Sequence, residues 1–488
     1  MRPIQNEVML ITYADSMGRD LKELETALAK HFEGAVKGIH ILPFFPSSGD
    51  RGFAVIEYDK VEPAFGDWSD IDRLAEKYTL AADFMLNHVS IRCREFKDYM
   101  EKGDASPYRN MFIHWNEFWP NGEPTEAEND AMYRRKPGGA FLEFTRKDGK
   151  KVKLWNTFFS EQVDIDPYAK ATQDYFGRNL TMLSRHVPLI RFDAFAYASK
   201  RPGTSCFFVE PDIWNVLDIA MQPLRSAGTQ MLAEIHENYT IQLKMAAKGY
   251  WVYDFALPML LLHGLYSGRT DRLIRWLHIC PRNQFTTLDT HDGIGVVDVV
   301  DLLTDDEIDH VRAIVDKITE PAQQYIKRPS MIKMTGKQAQ RYQLGCTYYN
   351  ALDCNDDAYL LARAVQFFTP GIPQVYYVGM LAGKNDIEFL KNGGEGRGIN
   401  RHNYSLQEVD EAAAQPVVQK LLRLMRFRNQ YKVFDGRFTV GADRGNGTLE
   451  MTWEDRDLYA RLTADFKTHA FQIAYFDPAE NREQVLEL

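Results

Sequence analysis

Disulfide chemistry, a membrane span and a basic face are all missing from this sequence. Cysteine is scarce, with five in 488 residues at positions 93, 206, 280, 346 and 354, and no CxxC or close cluster among them. An odd, dispersed set of this kind fits reduced thiols and offers no cysteine-based metal site. Long apolar runs are lacking too. The greasiest, YDFALPMLLLHGLY, is interrupted by Pro258 and falls short of the twenty or so residues that span a bilayer. The opening MRPIQNEVMLITYAD has no secretory apolar core, so a cytoplasmic location is expected. A net charge of −10 leaves no basic stripe for nucleic acid. It does not exclude a small anion held by a few local arginines. No repeat and no low-complexity linker is present.

What is there is a regular alternation. Apolar runs at 8–15, 38–45, 81–89, 187–197, 230–236, 250–258, 284–292 and 372–379 read as eight strands. Helical patterns fall between them. In 20–32 the apolar Leu21, Leu24, Leu28 and Phe32 share one face, and 68–78 reads as a helix opened by Ser69. VEPDIWNVLDIAM and PVVQKLLRLMRFRNQY continue the pattern. Eight βα units imply an α/β protein built on a (β/α)₈ TIM barrel.

Two intervals are too long for loops. One follows the third strand and is rich in Tyr, Trp, Gly and Pro. The other precedes the eighth and holds a helix at LTDDEIDHVRAIVDKI, where Thr304 and Glu307 form a capping box. The expected organisation is barrel at 1–88, an inserted subdomain B at 89–168, barrel at 169–292, a second inserted subdomain B′ at 293–355, and barrel at 356–435. The tail at 436–488 alternates polar and apolar residues around a Gly-Asn-Gly turn, which predicts a small antiparallel β domain.

In such barrels the chemistry lies beyond the C-terminal strand ends. Polar residues gather there: Asp50 after strand two, Asn87 and His88 after three, Arg191 and Asp193 at four, Glu234 at five, His291 and Asp292 after seven, Arg401 after eight. One Asp at a strand end is ordinarily a helix cap, but six such ends in one barrel point to a site. Retaining cleavage of a glycosidic bond needs a carboxylate nucleophile and a second carboxyl as acid and base. Arg191 and Asp193, two apart in LIRFDAFAY, share a strand face, so the guanidinium can hold the nucleophile ionised. Glu234, in the apolar setting MLAEIH, suits the acid/base, and Asp292 can favour the transition-state charge. A zinc site at His88 and His291 lacks HxH or HxxxH spacing, and a serine hydrolase lacks a GxSxG turn. Neither is expected.

At these residues the sequence resembles glycoside hydrolase family 13, the α-amylase family. Its four barrel-strand motifs are matched by DFMLNHV, IRFDAFAY, AEIH and TLDTHD, and QVDID is similar to its fifth. The resemblance implies Asp193 as nucleophile, Glu234 as acid/base, Asp292 as transition-state stabiliser, and His88, Arg191 and His291 as glucose ligands. The sucrose phosphorylase subfamily is a closer likeness, through GIHILPFFPSSGDRGF, GTSCFFVEP, LDTHDGIGV and ARAVQFFTPGIPQVYYVGMLAGKND. It implies that Asp50 and Arg401 close a one-glucose pocket, that Phe53 and Phe158 flank the ring, that Gln162 adds a polar contact, and that Tyr197 and Gln343 border the acceptor. Double displacement through a glucosyl-Asp, with phosphate as second nucleophile, would yield α-glucose 1-phosphate. The expected partners are therefore a small sugar and phosphate, with no cofactor, no metal, no nucleic acid and no membrane, in a monomer or homodimer.

For phosphate the resemblance implies an Arg in the first insertion, matched by Lys136 with Arg134 or Arg135 as substitutes, and Tyr342 in the second. The acceptor loop TGKQAQRYQ departs from the subfamily patterns. Gln340 stands where sucrose phosphorylases carry an acidic residue, and Tyr342 where sucrose 6′-phosphate phosphorylases carry a His. By elimination the expected substrate is 2-O-α-glucosylglycerol, with the two sucrose specificities as alternatives. A non-catalytic binding protein, which would have lost a carboxylate, and a hydrolase or transglycosidase on the same site are the remaining readings.

Overall fold

The computed structural model describes residues 3–136, 138–323, 325, 332–335, 338–442 and 445–488, with the side chains of 323, 332–335 and 338–341 excepted. Eight parallel strands close into a barrel. In chain order they are β1 (Met9–Thr12), β2 (Gly38–Ile41), β3 (Thr79–Met85), β4 (Leu189–Asp193), β5 (Gln230–Ala233), β6 (Trp251–Asp254), β7 (Gln284–Thr286) and β8 (Ile372–Tyr376). Around the barrel they run β1-β8-β7-β6-β5-β4-β3-β2. Nearly every strand residue is buried, which is why the strands read as apolar runs rather than alternations. All eight expected strands are present, each shorter than its apolar run. The residues beyond the true ends form the loops that carry chemistry. At β4 the strand stops at Asp193 because Ala194 turns left-handed, at φ 54°.

Helix starts follow local capping. The Asp20 carboxylate accepts from the N–H groups of Lys22 and Glu23 and opens α1 (Leu21–His31). The helix expected to open at Ser69, α2 (Trp68–Lys77), is instead capped by Asp67 in a capping box with Asp70; Ser69 lies in its first turn. The carboxylate at 67 is the better acceptor, and the Ser69 hydroxyl donates to it at 2.5 Å. The Thr304–Glu307 box is formed, with Thr304 N–H on Glu307 Oε2 at 2.9 Å and Glu307 N–H on Thr304 Oγ1 at 3.3 Å. It opens α3 (Asp305–Gln323).

The chain divides into two compact units. The first is built on Ile41–Ile235 with the paired strands Ile332–Thr335 and Gln338–Arg341. Within it, 89–168 contributes a hairpin (Phe141–Thr145 with Lys151–Trp155), and His88–Ser90 pairs antiparallel with Gln162–Asp164. Trp115, Trp119 and Trp155 form its aromatic core. The second unit comprises Ile4–His40, the stretch from His236 through α3, and Tyr342–Leu488. Residues 293–355, expected as one insertion, are thus shared between the units. The second unit ends in a five-stranded antiparallel sheet, β9 (Arg437–Val440), β10 (Thr448–Asp455), β11 (Leu458–Asp465), β12 (Phe471–Asp477) and β13 (Arg482–Val485). Trp453 of β10 is buried, and its indole N–H donates to Phe368 O at 2.8 Å.

Candidate active site

In the first unit the register between β3 and β4 sets Asp83 opposite Arg191 and Met85 opposite Asp193. Arg191 is buried and forms ion pairs with Asp83 and, at 2.9 Å, with Asp193. Its other terminal nitrogen lies 4.0 Å from Glu234 Oε1. One guanidinium thus serves three carboxylates and supplies the counter-charge that a nucleophile needs. The left-handed Ala194 turns its N–H onto Glu234 Oε2 at 3.2 Å. A non-glycine residue in that conformation costs roughly 1–2 kcal/mol and is held by its surroundings.

Aromatic and polar groups from the loops of this unit border the carboxylates. The Phe53 ring lies 5.8 Å from the Arg191 guanidinium. The Phe158 ring meets His88 edge-on at 5.4 Å and Tyr197 at 5.1 Å. His88 Nε2 bonds Phe53 O at 3.2 Å, and burial lowers the imidazole below its usual range, with Asp164 opposing. Gln162 donates to Asp50 Oδ2 at 3.4 Å. Asp50 and Arg51 are both left-handed, and the next residue, Gly52, cannot carry a side chain: at φ 108° a Cβ would lie 2.5 Å from Pro43 O. The three expected phosphate cations diverge. Arg135 donates to the Tyr197 hydroxyl at 3.1 Å and lies 6.0 Å from the Phe158 ring. Arg134 turns to Gly138 O at 3.1 Å, and Lys136 bonds Asn156 Oδ1. Burial lowers the Lys136 ammonium.

In the second unit Asp292 lies beyond the end of β7. Its carboxylate has His291 Nε2 at 3.6 Å, Arg401 Nη2 at 3.7 Å and Arg397 Nη1 at 3.9 Å. Burial opposes ionisation here, but His291, Arg397 and Arg401 outweigh it and hold the carboxyl well below the usual range. The loop is fixed from both sides. Arg401 Nε donates to His291 O at 2.7 Å and Asn400 to Asp292 O at 2.8 Å. Below it, Arg363 Nη2 meets both oxygens of Asp289 at 2.8 Å and the Tyr359 hydroxyl at 2.8 Å. Gly379 leaves room for that pair, because a Cβ there would lie 2.0 Å from Asp289 Oδ2. Tyr342 donates its hydroxyl to His236 O at 3.0 Å, and the Gln343 amide nitrogen lies 3.1 Å from His236 Nε2.

The first unit therefore groups Asp50, Phe53, His88, Phe158, Gln162, Arg191, Asp193, Tyr197 and Glu234. The second groups His291, Asp292 and Arg401, and places Tyr342 and Gln343 against His236. Asp83, His236 and Arg397 were not singled out in the sequence. A lone Asp inside the apolar AADFML was the available signal for Asp83.

The model of the α-amylase catalytic domain matches residues 33–193. Sucrose phosphorylase from Streptococcus mutans is 49% identical over 90% of this chain and 91% of its own. The chain belongs to the sucrose phosphorylase subfamily of glycoside hydrolase family 13. Another subfamily relative, the glucosylglycerol phosphorylase of Marinobacter adhaerens, is 41% identical over 99% of both chains. The crystal structure of sucrose 6F-phosphate phosphorylase from Thermoanaerobacter thermosaccharolyticum superposes with a TM-score of 0.93 at 40% identity, covering 100% of this chain and 99% of that one. These subfamily relatives are glycoside phosphorylases, so the protein is an enzyme of the hexosyl-transferring class. Among the described residues, no helix is long and apolar enough to cross a membrane.

Proposed function

We propose that this enzyme is a retaining α-glucoside phosphorylase. An Asp193 oxygen attacks the anomeric carbon while Glu234 gives its proton to the glycosidic oxygen, and the alcohol leaves. A phosphate oxygen then attacks the same carbon, Glu234 takes up the phosphate proton, and the Asp193 ester bond breaks. Two inversions give α-glucose 1-phosphate with net retention. Asp292, whose charge is secured by Arg397, Arg401 and His291, would favour the positive character of the sugar ring in both transition states. The reading rests on one observation above all: a single buried guanidinium lies 2.9 Å from Asp193 and 4.0 Å from Glu234.

Phosphate is assigned to Arg135 and Tyr342. Of the three basic neighbours, Arg135 is the one whose guanidinium lies among Tyr197 and Phe158. Asp50, Phe53, His88, Phe158, Gln162, Arg191, His291 and Arg401 are assigned to one glucosyl unit, and Tyr197 and Gln343 to the acceptor. Phosphate is a co-substrate, and no cofactor or metal takes part in this scheme.

The acceptor we assign is glycerol, released from 2-O-α-glucosylglycerol. Gln340 removes the negative charge that sucrose phosphorylases place in this loop, and Tyr342 removes the His of the sucrose 6′-phosphate enzymes. Sucrose is the second reading, favoured by the 49% identity to the Streptococcus enzyme. Incubating the protein and phosphate with each of 2-O-α-glucosylglycerol, sucrose and sucrose 6′-phosphate, with a phosphate-free control, decides among them. We expect α-glucose 1-phosphate, fastest from glucosylglycerol. No sugar phosphate from any donor sinks the phosphorylase reading. Equal cleavage without phosphate makes the enzyme a hydrolase.

A further inference from the structure

A buried chain of hydrogen bonds runs behind Gln343. The Gln343 amide nitrogen, which can only donate, lies 3.1 Å from His236 Nε2. That nitrogen must accept, so the ring proton sits on Nδ1, which faces Asp298 Oδ2 at 3.2 Å. Gln242 donates to the other oxygen, Oδ1, at 3.3 Å. Every donor in the chain therefore points toward Asp298, a fully buried carboxylate that only accepts. Phe255 stacks on the imidazole at 3.8 Å and 15°, and Tyr342 meets it edge-on at 5.6 Å. Gly295, paired with Gln343 in a short antiparallel ribbon, leaves the space the dyad needs: a Cβ there would fall 2.1 Å from Asp298 Oδ2.

The other end of the chain is unpaired. Gln343 is buried, and its Oε1 has no hydrogen-bond partner among the described residues. A buried carbonyl oxygen without a donor costs free energy, so it points to a ligand that supplies one. A ring nitrogen of His236 and a carboxylate oxygen of Asp292 lie within 4.8 Å of one another, which places the chain beside a candidate catalytic carboxylate.

We infer that Asp298 is a positioning residue for leaving-group recognition: through His236 it fixes Gln343 with Oε1 presented to a hydroxyl of the acceptor alcohol. This inference rests on the phosphorylase reading. Asp298 touches no substrate; it fixes which end of the amide the acceptor meets. An Asn at 298 can turn its NH₂ toward His236 Nδ1. The ring proton then moves to Nε2, Gln343 turns its oxygen to that proton, and the acceptor meets an NH₂ group.

The test runs the reaction in reverse, from glucose 1-phosphate with glycerol, fructose and fructose 6-phosphate, for the wild type and Asp298→Asn. We expect KM for the preferred acceptor to rise about tenfold while kcat changes less than about twofold. An unchanged acceptor KM overturns the inference. So does a fall in kcat with KM unmoved, which is what loosened packing alone would give. If Asp298→Asn does not fold, the wild type still decides. ¹⁵N NMR of the full chain, with the His236 signals assigned by their loss in His236→Gln, should show the Nδ1-protonated tautomer, and an Nε2-protonated ring overturns the assignment. Should the wild type transfer glucose to none of the three acceptors, the phosphorylase reading fails by itself, and the tautomer still decides whether Asp298 orients His236.

Discussion

Asp83 and Arg191 face each other across the β3–β4 register, and the same guanidinium that pairs with Asp83 also holds Asp193. The candidate nucleophile is thus supported from the neighbouring strand as well as from its own. Breaking a buried pair costs up to about 3–5 kcal/mol, less here because Asp193 still faces the guanidinium. Asp83→Ala should therefore lower the melting temperature and cut kcat/KM by at least tenfold. Calorimetry and phosphorolysis kinetics on the purified variant check both, and wild-type values for either would show that Arg191 holds its place without Asp83.

The two carboxylates at β4 and β5 are assigned different tasks, and substitutions separate them. Asp193→Ala should abolish turnover of every donor and leave the circular dichroism spectrum unchanged. Glu234→Gln should lose about 10²–10⁴-fold on glucosides, whose alcohol must be protonated to leave. With α-glucosyl fluoride, whose leaving group needs no proton, glucosylation of the enzyme should be largely kept. A uniform loss across both donors would remove the acid role from Glu234.

Phosphate recognition should follow position more than charge count. Arg135→Gln should raise KM for phosphate by about 10–100-fold, the worth of a hydrogen bond to a charged group. Lys136→Gln, whose parent ammonium is turned to Asn156, should raise it only a few-fold. The reverse ranking would hand the role to Lys136.

His88 links the site to acid stability. Burial depresses its folded-state pKa below the unfolded value near 6.5, so below that pH the unfolded chain binds the extra proton. Its contribution is fully present above about pH 6.5 and is lost as pH falls toward the lower folded value. Melting curves at pH 7.5 and 5.5 should show a smaller acid loss for His88→Asn than for the wild type. An equal loss would mean that His88 protonates as readily in the folded protein.

The barrel was legible because parallel buried strands leave an unmistakable apolar rhythm, and Arg191, Asp193 and Glu234 stand out because they break it. What stayed hidden depends on contacts remote in sequence. Asp83 acquires its meaning only from the β3–β4 register, and Asp298 only from His236, 62 residues away. Strand ends were overestimated because an apolar run does not announce a left-handed residue such as Ala194. Ser69 looked like a cap because the stronger acceptor, Asp67, preceded the apolar periodicity.

Gly379, Asp289 and Arg363 are bound to one another by space as much as by charge. A methyl group at 379 collides with the carboxylate. Shortening Asp289 strands a buried guanidinium, and shortening Arg363 strands a buried anion three positions before Asp292. Each single step away from this trio meets a clash or strands a buried charge. The three positions are therefore coupled, and the loop carrying Asp292 is anchored through Asp289, three residues before it.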